Sequence, residues 1–179
     1  MIKKTIDEMH RLTVEAYHEA AKVPLIIVLD NVRSMHNVGA VFRTADAFRI
    51  EGIRLCGITC VPPNQELHKT ALGAEETVDY TYYEHTLDAV RDLQKNGFTV
   101  YAVEQAHHSL TLEQALEKPY NHGIALVMGH EVFGVDEQVM RAVDGVIELP
   151  QYGTKHSLNV SVTAGIVLYA WAKKLRDNA

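Results

Sequence analysis

The chain has 179 residues, of which 47% are hydrophobic and 22% are charged, and its formal net charge is −6. This length suits one domain with a sizeable buried core, and the composition is that of an ordinary globular protein. No apolar run reaches the length of a membrane span, and the N-terminal residues lack the apolar segment of a secretory signal. We therefore expect a single cytoplasmic domain over residues 1–179 that makes no membrane contact.

Two cysteines and ten histidines raise the questions of disulfides and metals. Cys56 and Cys60 lie four residues apart on a strand and its exit, a spacing that disfavours a disulfide, so free thiols are predicted. No H-E-x-x-H sequence occurs and no cysteine pair meets a histidine pair at zinc-finger spacing, so we predict no metal site. The acidic net charge argues only weakly against nucleic acid, because a local patch can still be basic.

Helical and strand patterns alternate along the chain. In order, they predict a helix over 2–22, a strand over 25–30, a helix over 37–48 with Asn37 as its N-cap, a strand over 52–58, a loop over 61–69, a strand over 78–83, a helix over 86–96, a strand over 98–104, a short helix over 110–116, a strand over 123–129, a helix over 135–143, a strand over 145–150 and a closing helix over 158–177. This alternation predicts an α/β fold with a mostly parallel sheet flanked by helices.

Ligands of such sheets bind beyond the carboxyl ends of the strands. Four segments follow strands in this way, and three of them are rich in Gly, Asn, Ser, His or charged residues. They are 30–36, 104–107, 129–134 and 150–157. We expect these loops to form any binding site.

Each candidate side chain also has a purely structural interpretation. Arg43 is either a solvated arginine paired with Asp46 or a phosphate-binding or catalytic arginine. Glu131 either caps a tight turn or accepts hydrogen bonds from a ligand or a neighbouring loop. Ser157 or Asn159 can cap the closing helix, which explains at most two of the polar side chains in the preceding loop.

Three motifs in order resemble the SpoU (TrmH-type) family of the SPOUT superfamily, which are RNA 2′-O-ribose methyltransferases that use S-adenosylmethionine. The motifs are Asn37-Val38-Gly39-Ala40 with Arg43-Thr44-Ala45; Leu126 to Glu131 with Gly134; and Leu149-Pro150 with Ser157 to Ser161. The resemblance covers residues 24–175. His130 departs from it, because the family commonly has Asn between the Gly and the Glu of the second motif.

The resemblance implies features that the sequence pattern alone does not. The fold would be a SPOUT α/β-knot, with a deep trefoil knot at the C-terminal end of the core over 24–175, preceded by an N-terminal helical extension over 1–22. Two chains would pair as a homodimer to complete the site. The cofactor would be S-adenosyl-L-methionine, and the partner would be tRNA or rRNA.

Specific residues inherit roles from the same resemblance. Arg43 matches the family's catalytic arginine, and the resemblance places Asn37, Glu131, Ser157 and Asn159 beside it as catalytic residues. The residues implied to bind the cofactor are Val103, Gly129, Leu149 and Leu158. Two alternatives remain at this point: a methyltransferase that acts on a base, and a non-catalytic RNA-binding or dimerisation module of the same fold.

Overall fold

The computed structural model describes residues 1–5 and 7–177. Within them, seven strands alternate with seven α-helices, and two short 3-10 turns lie at Asp7–Met9 and Ala74–Glu76. The strands are β1 (Val23–Asp30), β2 (Ile50–Cys56), β3 (Tyr80–Tyr83), β4 (Phe98–Val103), β5 (Leu110–Thr111), β6 (Gly123–Met128) and β7 (Gly145–Glu148). The helices are α1 (Val14–Glu19), α2 (Met35–Phe48), α3 (Gln65–Ala71), α4 (Thr86–Lys95), α5 (Leu112–Leu116), α6 (Glu137–Ala142) and α7 (Val160–Asp177).

The seven strands form one sheet in the order β3-β2-β1-β6-β4-β7-β5. Every paired neighbour in it is parallel, which confirms the predicted α/β fold with a mostly parallel sheet flanked by helices. The central strands β1 and β6 are buried along almost their whole length, because helices cover both faces. All the carboxyl ends of parallel strands therefore lie along one edge of the sheet.

Alternate residues of β1 enter different cores. Leu25, Ile27 and Leu29 belong to the larger cluster, which includes the apolar face of α2 and Trp171 of α7. Ile26 and Val28 belong to the second cluster, under α4 and α6. This two-sided burial is the physical reason for the continuous apolar run in the sequence.

Residues after β1 tie three elements together at the carboxyl edge. Asp30 is only 1% exposed, and its Oδ1 accepts from the Thr86 hydroxyl at 2.5 Å. Its Oδ2 accepts from the backbone N–H of Asp136 at 2.8 Å. One buried carboxylate thus joins β1 to the starts of α4 and α6, and it holds this edge of the sheet in place.

The N-terminal helix is much shorter than predicted. In place of a helix over 2–22, the described residues show a 3-10 turn and then α1, whose N-cap Thr13 accepts from the N–H of Ala16. His10 has φ +47°, a left-handed conformation that interrupts a right-handed helix. Ile6, part of the predicted apolar stripe, lies outside the described residues.

Residues 61–69 were expected to be a loop, but α3 begins inside them. The Pro62-Pro63 bond does prevent regular structure, and Asn64 immediately after it then starts the helix. The Asn64 Oδ1 accepts from the N–H groups of Glu66 and Leu67, at 2.9 and 3.1 Å. The irregular segment therefore ends at the prolines, and Asn64 begins α3 as its N-cap.

Helix α2 begins two residues earlier than predicted, and its N-cap is Ser34 rather than Asn37. The Ser34 hydroxyl accepts from the Asn37 N–H at 3.3 Å, which leaves the Asn37 side chain free for other contacts. The backbone of α2 passes close to α3 at Gly39, where a Cβ would lie 2.2 Å from the carbonyl oxygen of Leu67.

No helix among the described residues is long and apolar enough to span a membrane.

Candidate functional site

A cavity of about 510 Å³ opens at the carboxyl edge of the sheet. It lies beyond the ends of β4, β6 and β7 and reaches the first turn of α7. Its volume is typical of sites for small molecules and cofactors. Of the nine predicted site residues, all but Asn37 and Arg43 line this cavity directly: Val103, Gly129, Glu131, Leu149, Ser157, Leu158 and Asn159.

A hydrogen-bond network joins the three sequence motifs. Asn37 Nδ2 donates to Glu131 Oε1 at 3.0 Å, and Asn159 Nδ2 donates to Asn37 Oδ1 at 3.1 Å. These residues are 94 and 122 positions apart in the chain. Glu131, Asn37 and Asn159 therefore form one continuous polar chain that fastens α2 to the cavity.

Glu131 accepts more than the Asn37 amide. Its Oε2 accepts from the N–H of Arg33 at 3.0 Å, and its Oε1 also accepts from the N–H of Ser34 at 2.9 Å. Burial by itself raises the pKa of the Glu131 carboxyl, but these donors outweigh it and hold the pKa below the ordinary value. The ionised carboxylate thus anchors the loop after β1.

Asn159 performs the capping role that the sequence suggested and a second role as well. Its Oδ1 accepts from the N–H groups of Ser161 and Val162, at 2.9 and 3.4 Å, at the start of α7. Its Nδ2 is then free to donate to Asn37. Ser157 lies exposed beside the cavity instead, and it does not cap the helix.

The wall between Gly129 and Gly134 is a closed turn. The backbone groups of His130 and Gly134 exchange two hydrogen bonds of 3.0 and 2.9 Å. Gly134 has φ +69°, and a Cβ there would lie 2.3 Å from Glu104 Oε2. A Cβ on Gly129 would lie 2.2 Å from the carbonyl carbon of Gly134. Gly129 is therefore required by the close approach of two backbone segments, whereas the left-handed conformation favours glycine at position 134.

The cavity is acidic. Glu104 and Glu131 line it, and none of its described lining residues is Lys or Arg. The Glu104 carboxylate is held by the N–H of Gln105 at 2.8 Å and that of Val135 at 3.3 Å. The rest of the wall combines apolar side chains, such as Val103, Leu149 and Leu158, with uncharged polar ones, such as Gln105 and Gln151. The site therefore suits a partly apolar ligand that carries positive charge.

Arg43 lies away from this cavity. It is six residues, or about 9 Å along the axis, from Asn37 and on a different side of α2. The alternative pair with Asp46 is not among the ion pairs of the described residues; Asp46 Oδ1 accepts from the Thr77 hydroxyl at 2.7 Å. Arg43 is exposed and takes part in none of the ion pairs among the described residues.

The basic side chains near the predicted loops do not form one patch. His36 and Lys69 both contact Glu66, at 3.4 and 2.6 Å. Arg49 lies at the opposite end of α2 from the cavity, and Arg54 lies along β2. These basic residues therefore do not all lie beside the cavity.

Two further predictions concerned the cysteines and metal binding. Both cysteines are free thiols, as predicted, and burial raises the pKa of Cys56 to about 12. Among residues 1–5 and 7–177, no group of three or more His, Cys, Asp or Glu side chains is placed to hold a metal ion.

Comparison with known proteins identifies the family. The model of the SpoU rRNA Methylase family matches residues 24–169. The chain belongs to this family. A curated relative of the SpoU family, the tRNA (guanosine(18)-2′-O)-methyltransferase of Thermus thermophilus, is 30% identical over 162 residues, which are 90% of this chain and 81% of that protein. Curated 23S rRNA (guanosine-2′-O-)-methyltransferases also match, but the chain spans only 56% to 65% of their length.

Solved SpoU-family structures share the fold. The AdoMet-bound rRNA methyltransferase from Sinorhizobium meliloti has a TM-score of 0.76 and 26% identity, and the match covers 90% of this chain and 60% of that one. A structure described for the 2-OH methylation of C/U34 on tRNA has a TM-score of 0.73 and 25% identity, and the match covers 86% of this chain and 97% of that one.

Sequence reasoning missed several lining residues of the SpoU-family cavity. Glu104, Gln105, Met128 and Thr163 all line it, and none was assigned a role. Glu104 and Gln105 lie in the strand-end segment 104–107, and Met128 lies in the second motif, so the sequence indicated their segments but not the residues. Thr163 lies inside the predicted closing helix, where no strand end or motif indicated a binding residue.

Proposed function

We propose that this protein is an S-adenosylmethionine-dependent RNA methyltransferase that methylates a ribose 2′-hydroxyl of tRNA or rRNA. The observation that carries the proposal is the Glu131–Asn37–Asn159 network beside the 510 Å³ cavity. Three motifs far apart in sequence meet there, which supports one shared task. The proteins that match along most of this chain are named as RNA 2′-O-methyltransferases or are described as AdoMet-bound.

The cavity residues fit the proposed cofactor. Adenine and the methionine chain can be recognised by backbone N–H and C=O groups, for which Val103, Gly129, Leu149 and Leu158 supply an apolar surround. The carboxylates of Glu104 and Glu131 favour a cationic ligand. S-adenosylmethionine carries a sulfonium group, and when bound it supplies an electrophilic methyl group.

The chain's own residues orient the reaction. In-line transfer requires the 2′-hydroxyl to be held near the methyl donor, and most of the catalytic benefit comes from that orientation. Asn37 and Asn159, fixed by Glu131, present amide groups beside the cavity, and Ser157 presents an exposed hydroxyl. These polar groups position the ribose.

Arg43 is proposed to hold the phosphate next to the target ribose and to stabilise the developing alkoxide. A guanidinium is almost always charged, so this electrostatic role is favoured over base catalysis. Arg43 is exposed and without an ion-pair partner among the described residues, which supports a role toward a bound anion.

A homodimer would bring Arg43 nearer to a cavity. The exposed side of α7 presents Val162, Ile166 and Tyr169, at spacings of four and three residues, so they form one apolar stripe. Helices α7 and α2 are packed neighbours, and the rings of Phe48 and Tyr169 are 5.9 Å apart. We propose that pairing of two such stripes brings Arg43 of one chain toward the cavity of the other.

A deep trefoil knot is the proposed path of the C-terminal segment. After β7 the chain returns past the ends of β4 and β6 to reach α2, and Gln105 Nε2 donates to the His156 carbonyl at 2.5 Å on the way. Force spectroscopy tests the knot: a knotted chain pulled from both ends should reach a shorter contour length than that of a fully extended, unknotted chain of 179 residues.

The core over 24–175 and the extension over 1–22 are proposed to act as one cytoplasmic domain.

The decisive experiment is a methyl-transfer assay with labelled S-adenosylmethionine and bulk RNA from a strain that lacks the gene. We expect label in 2′-O-methylated nucleosides after nuclease digestion and mass spectrometry. Label on a base would identify the base-methyltransferase alternative. Cofactor binding without transfer to any RNA would identify the non-catalytic module. Mapping the lost methylation in that strain decides between tRNA and rRNA and gives the nucleotide.

A further inference from the structure

The imidazole of His130 lies inside the turn that forms one wall of the cavity. Its Nδ1 is 2.9 Å from the backbone N–H of Val132 and 3.4 Å from that of Phe133. Both neighbours are donors, so the ring nitrogen between them has to be the acceptor. The neutral tautomer with its proton on Nε2 satisfies this arrangement. The doubly protonated imidazolium does not, because it directs a third N–H at the other two.

This contact reproduces an Asx turn with a histidine. In an Asx turn the side-chain oxygen of Asn or Asp accepts from the backbone N–H two residues ahead. The Nδ1 of His is bonded to Cγ, as is the Oδ1 of Asn, so both acceptors stand at the same distance along the side chain. The ring of Phe133 lies 4.8 Å from the imidazole and covers one side of it.

The turn controls two parts of the site. Gly129, Val132 and Phe133 form the cavity wall, so the position of the turn sets its shape. Glu131 lies within the same turn, and its carboxylate holds the loop after β1 and the Asn37 amide. A disturbance at His130 therefore reaches both the cofactor wall and the ribose-positioning network.

We propose that His130 is a positioning residue that holds this turn through Nδ1 as a hydrogen-bond acceptor, so that cofactor binding depends on an acceptor at this position of the side chain. The inference rests on the proposed function for its ligand. The other parts of the site that the turn touches are Glu131, which lies on the turn itself, and the backbone of Arg33, which donates to the Glu131 carboxylate.

The test measures the dissociation constant of S-adenosylmethionine by calorimetry for the wild-type protein and two variants. His130→Asn should bind about as well as the wild type, because its amide oxygen can accept from the same two N–H groups. His130→Ala should bind about 10-fold more weakly, because the two N–H groups lose their acceptor.

A matched substitution excludes a general effect of losing a histidine. His107→Ala makes the same chemical change as His130→Ala on an exposed loop residue outside the cavity, and it should leave the dissociation constant unchanged. Weak binding by His130→Asn, or wild-type affinity in His130→Ala, overturns the proposal.

A second measurement needs no cofactor. The ¹⁵N shifts of the His130 imidazole, assigned by comparison with His130→Asn, should show a protonated Nε2 and an unprotonated Nδ1 at neutral pH. The amides of Val132 and Phe133 should exchange faster in His130→Ala than in the wild type or in His130→Asn, because only His130→Ala lacks the acceptor. A protein that never binds S-adenosylmethionine but shows this tautomer contradicts the proposed function alone, whereas the opposite tautomer contradicts the role of His130.

Discussion

At the scale of single residues, the site depends on side chains that perform two tasks with different atoms. Asn159 caps α7 through its oxygen and bonds Asn37 through its nitrogen. Glu131 uses both oxygens and receives three donors from the segment around the start of α2. A structural role for such a residue therefore does not exclude the proposed functional one, because different atoms of one side chain can serve each.

Arg43→Ala should leave cofactor binding within about twofold and lower turnover at least ~100-fold, because the guanidinium acts on the phosphate and the developing charge rather than on the cavity. Calorimetry gives the first value and methyl transfer to bulk RNA the second. Arg91→Ala, which removes an exposed arginine of α4, is the control, and it should keep both cofactor binding and turnover at the wild-type values. Near-normal turnover in Arg43→Ala would remove this residue from its assigned role.

Glu131→Gln should lower the free energy of unfolding by about 1–2 kcal/mol, because the new NH₂ group replaces an acceptor that faces an N–H donor. The pKa of Glu131 is lowered in the folded protein, so its contribution is complete above the unfolded value of about 4.3 and is lost as the pH falls through the lower folded value. Urea titrations at several pH values check this. The difference between the two proteins should shrink at acidic pH, and a constant difference would contradict the assigned cause.

At the scale of elements, close backbone contacts decide where helices meet. Helix α2 approaches α3 at Gly39, and the Thr70 hydroxyl, on α3, donates to the carbonyl of His36 at 2.9 Å. This contact fixes how α2 lies on the sheet. It therefore also fixes where Asn37, at the start of α2, meets Glu131.

Gly39→Ala should destabilise the protein by about 1–3 kcal/mol, because its Cβ would lie 2.2 Å from both the Leu67 carbonyl oxygen and the Thr70 hydroxyl. Thermal or urea unfolding measures the loss. Gly153→Ala is a suitable control, because a Cβ there meets nothing within 4 Å. Equal stabilities for the two variants would show that α2 and α3 can separate without cost.

The sequence predicted the elements well where a single physical pattern controls them. The buried strands β1 and β6 follow from their continuous apolar runs, and α4 follows from its helical period and the glycine after it. The prediction was wrong where two signals are adjacent in the sequence. The Pro62-Pro63 pair favoured a loop, although Asn64 directly after it is the N-cap of α3. Asn37 was predicted as the N-cap of α2, although Ser34 has that position. The strand order could not be predicted, because no local pattern records which strands become neighbours.

At the scale of the whole molecule, the carboxyl edge of the sheet collects residues from both halves of the chain. The motifs indicated which residues belong to the candidate site, and the sheet order explains why most of them line one cavity and why Asn37 reaches it through the hydrogen-bond network. Arg43 is the exception, and a second chain is the simplest way to bring it to a cavity.

Ile166→Glu should convert a dimer to a monomer, because it places a charge in the middle of the Val162–Ile166–Tyr169 stripe. Sedimentation velocity measures the change. Leu72→Glu is the matched control, since Leu72 is an exposed apolar residue at the end of α3. If Ile166→Glu sediments like the unaltered protein, the stripe is not the interface.

Methyl transfer should be unchanged when EDTA is present, because orientation and electrostatic stabilisation by side chains suffice for transfer from a sulfonium. The assay on bulk RNA with and without the chelator tests this. Activity that falls sharply and returns on addition of a divalent cation would contradict a mechanism without metal.

The acidic lining of the cavity has a consequence for turnover. Loss of the methyl group turns the sulfonium into a neutral thioether, so the spent donor carries one positive charge less than the fresh one. Glu104 and Glu131, with no lysine or arginine among the described lining residues, attract the former less than the latter. The same carboxylates that favour binding of the fresh donor would thus favour its exchange for the spent one when both are present at equal concentration.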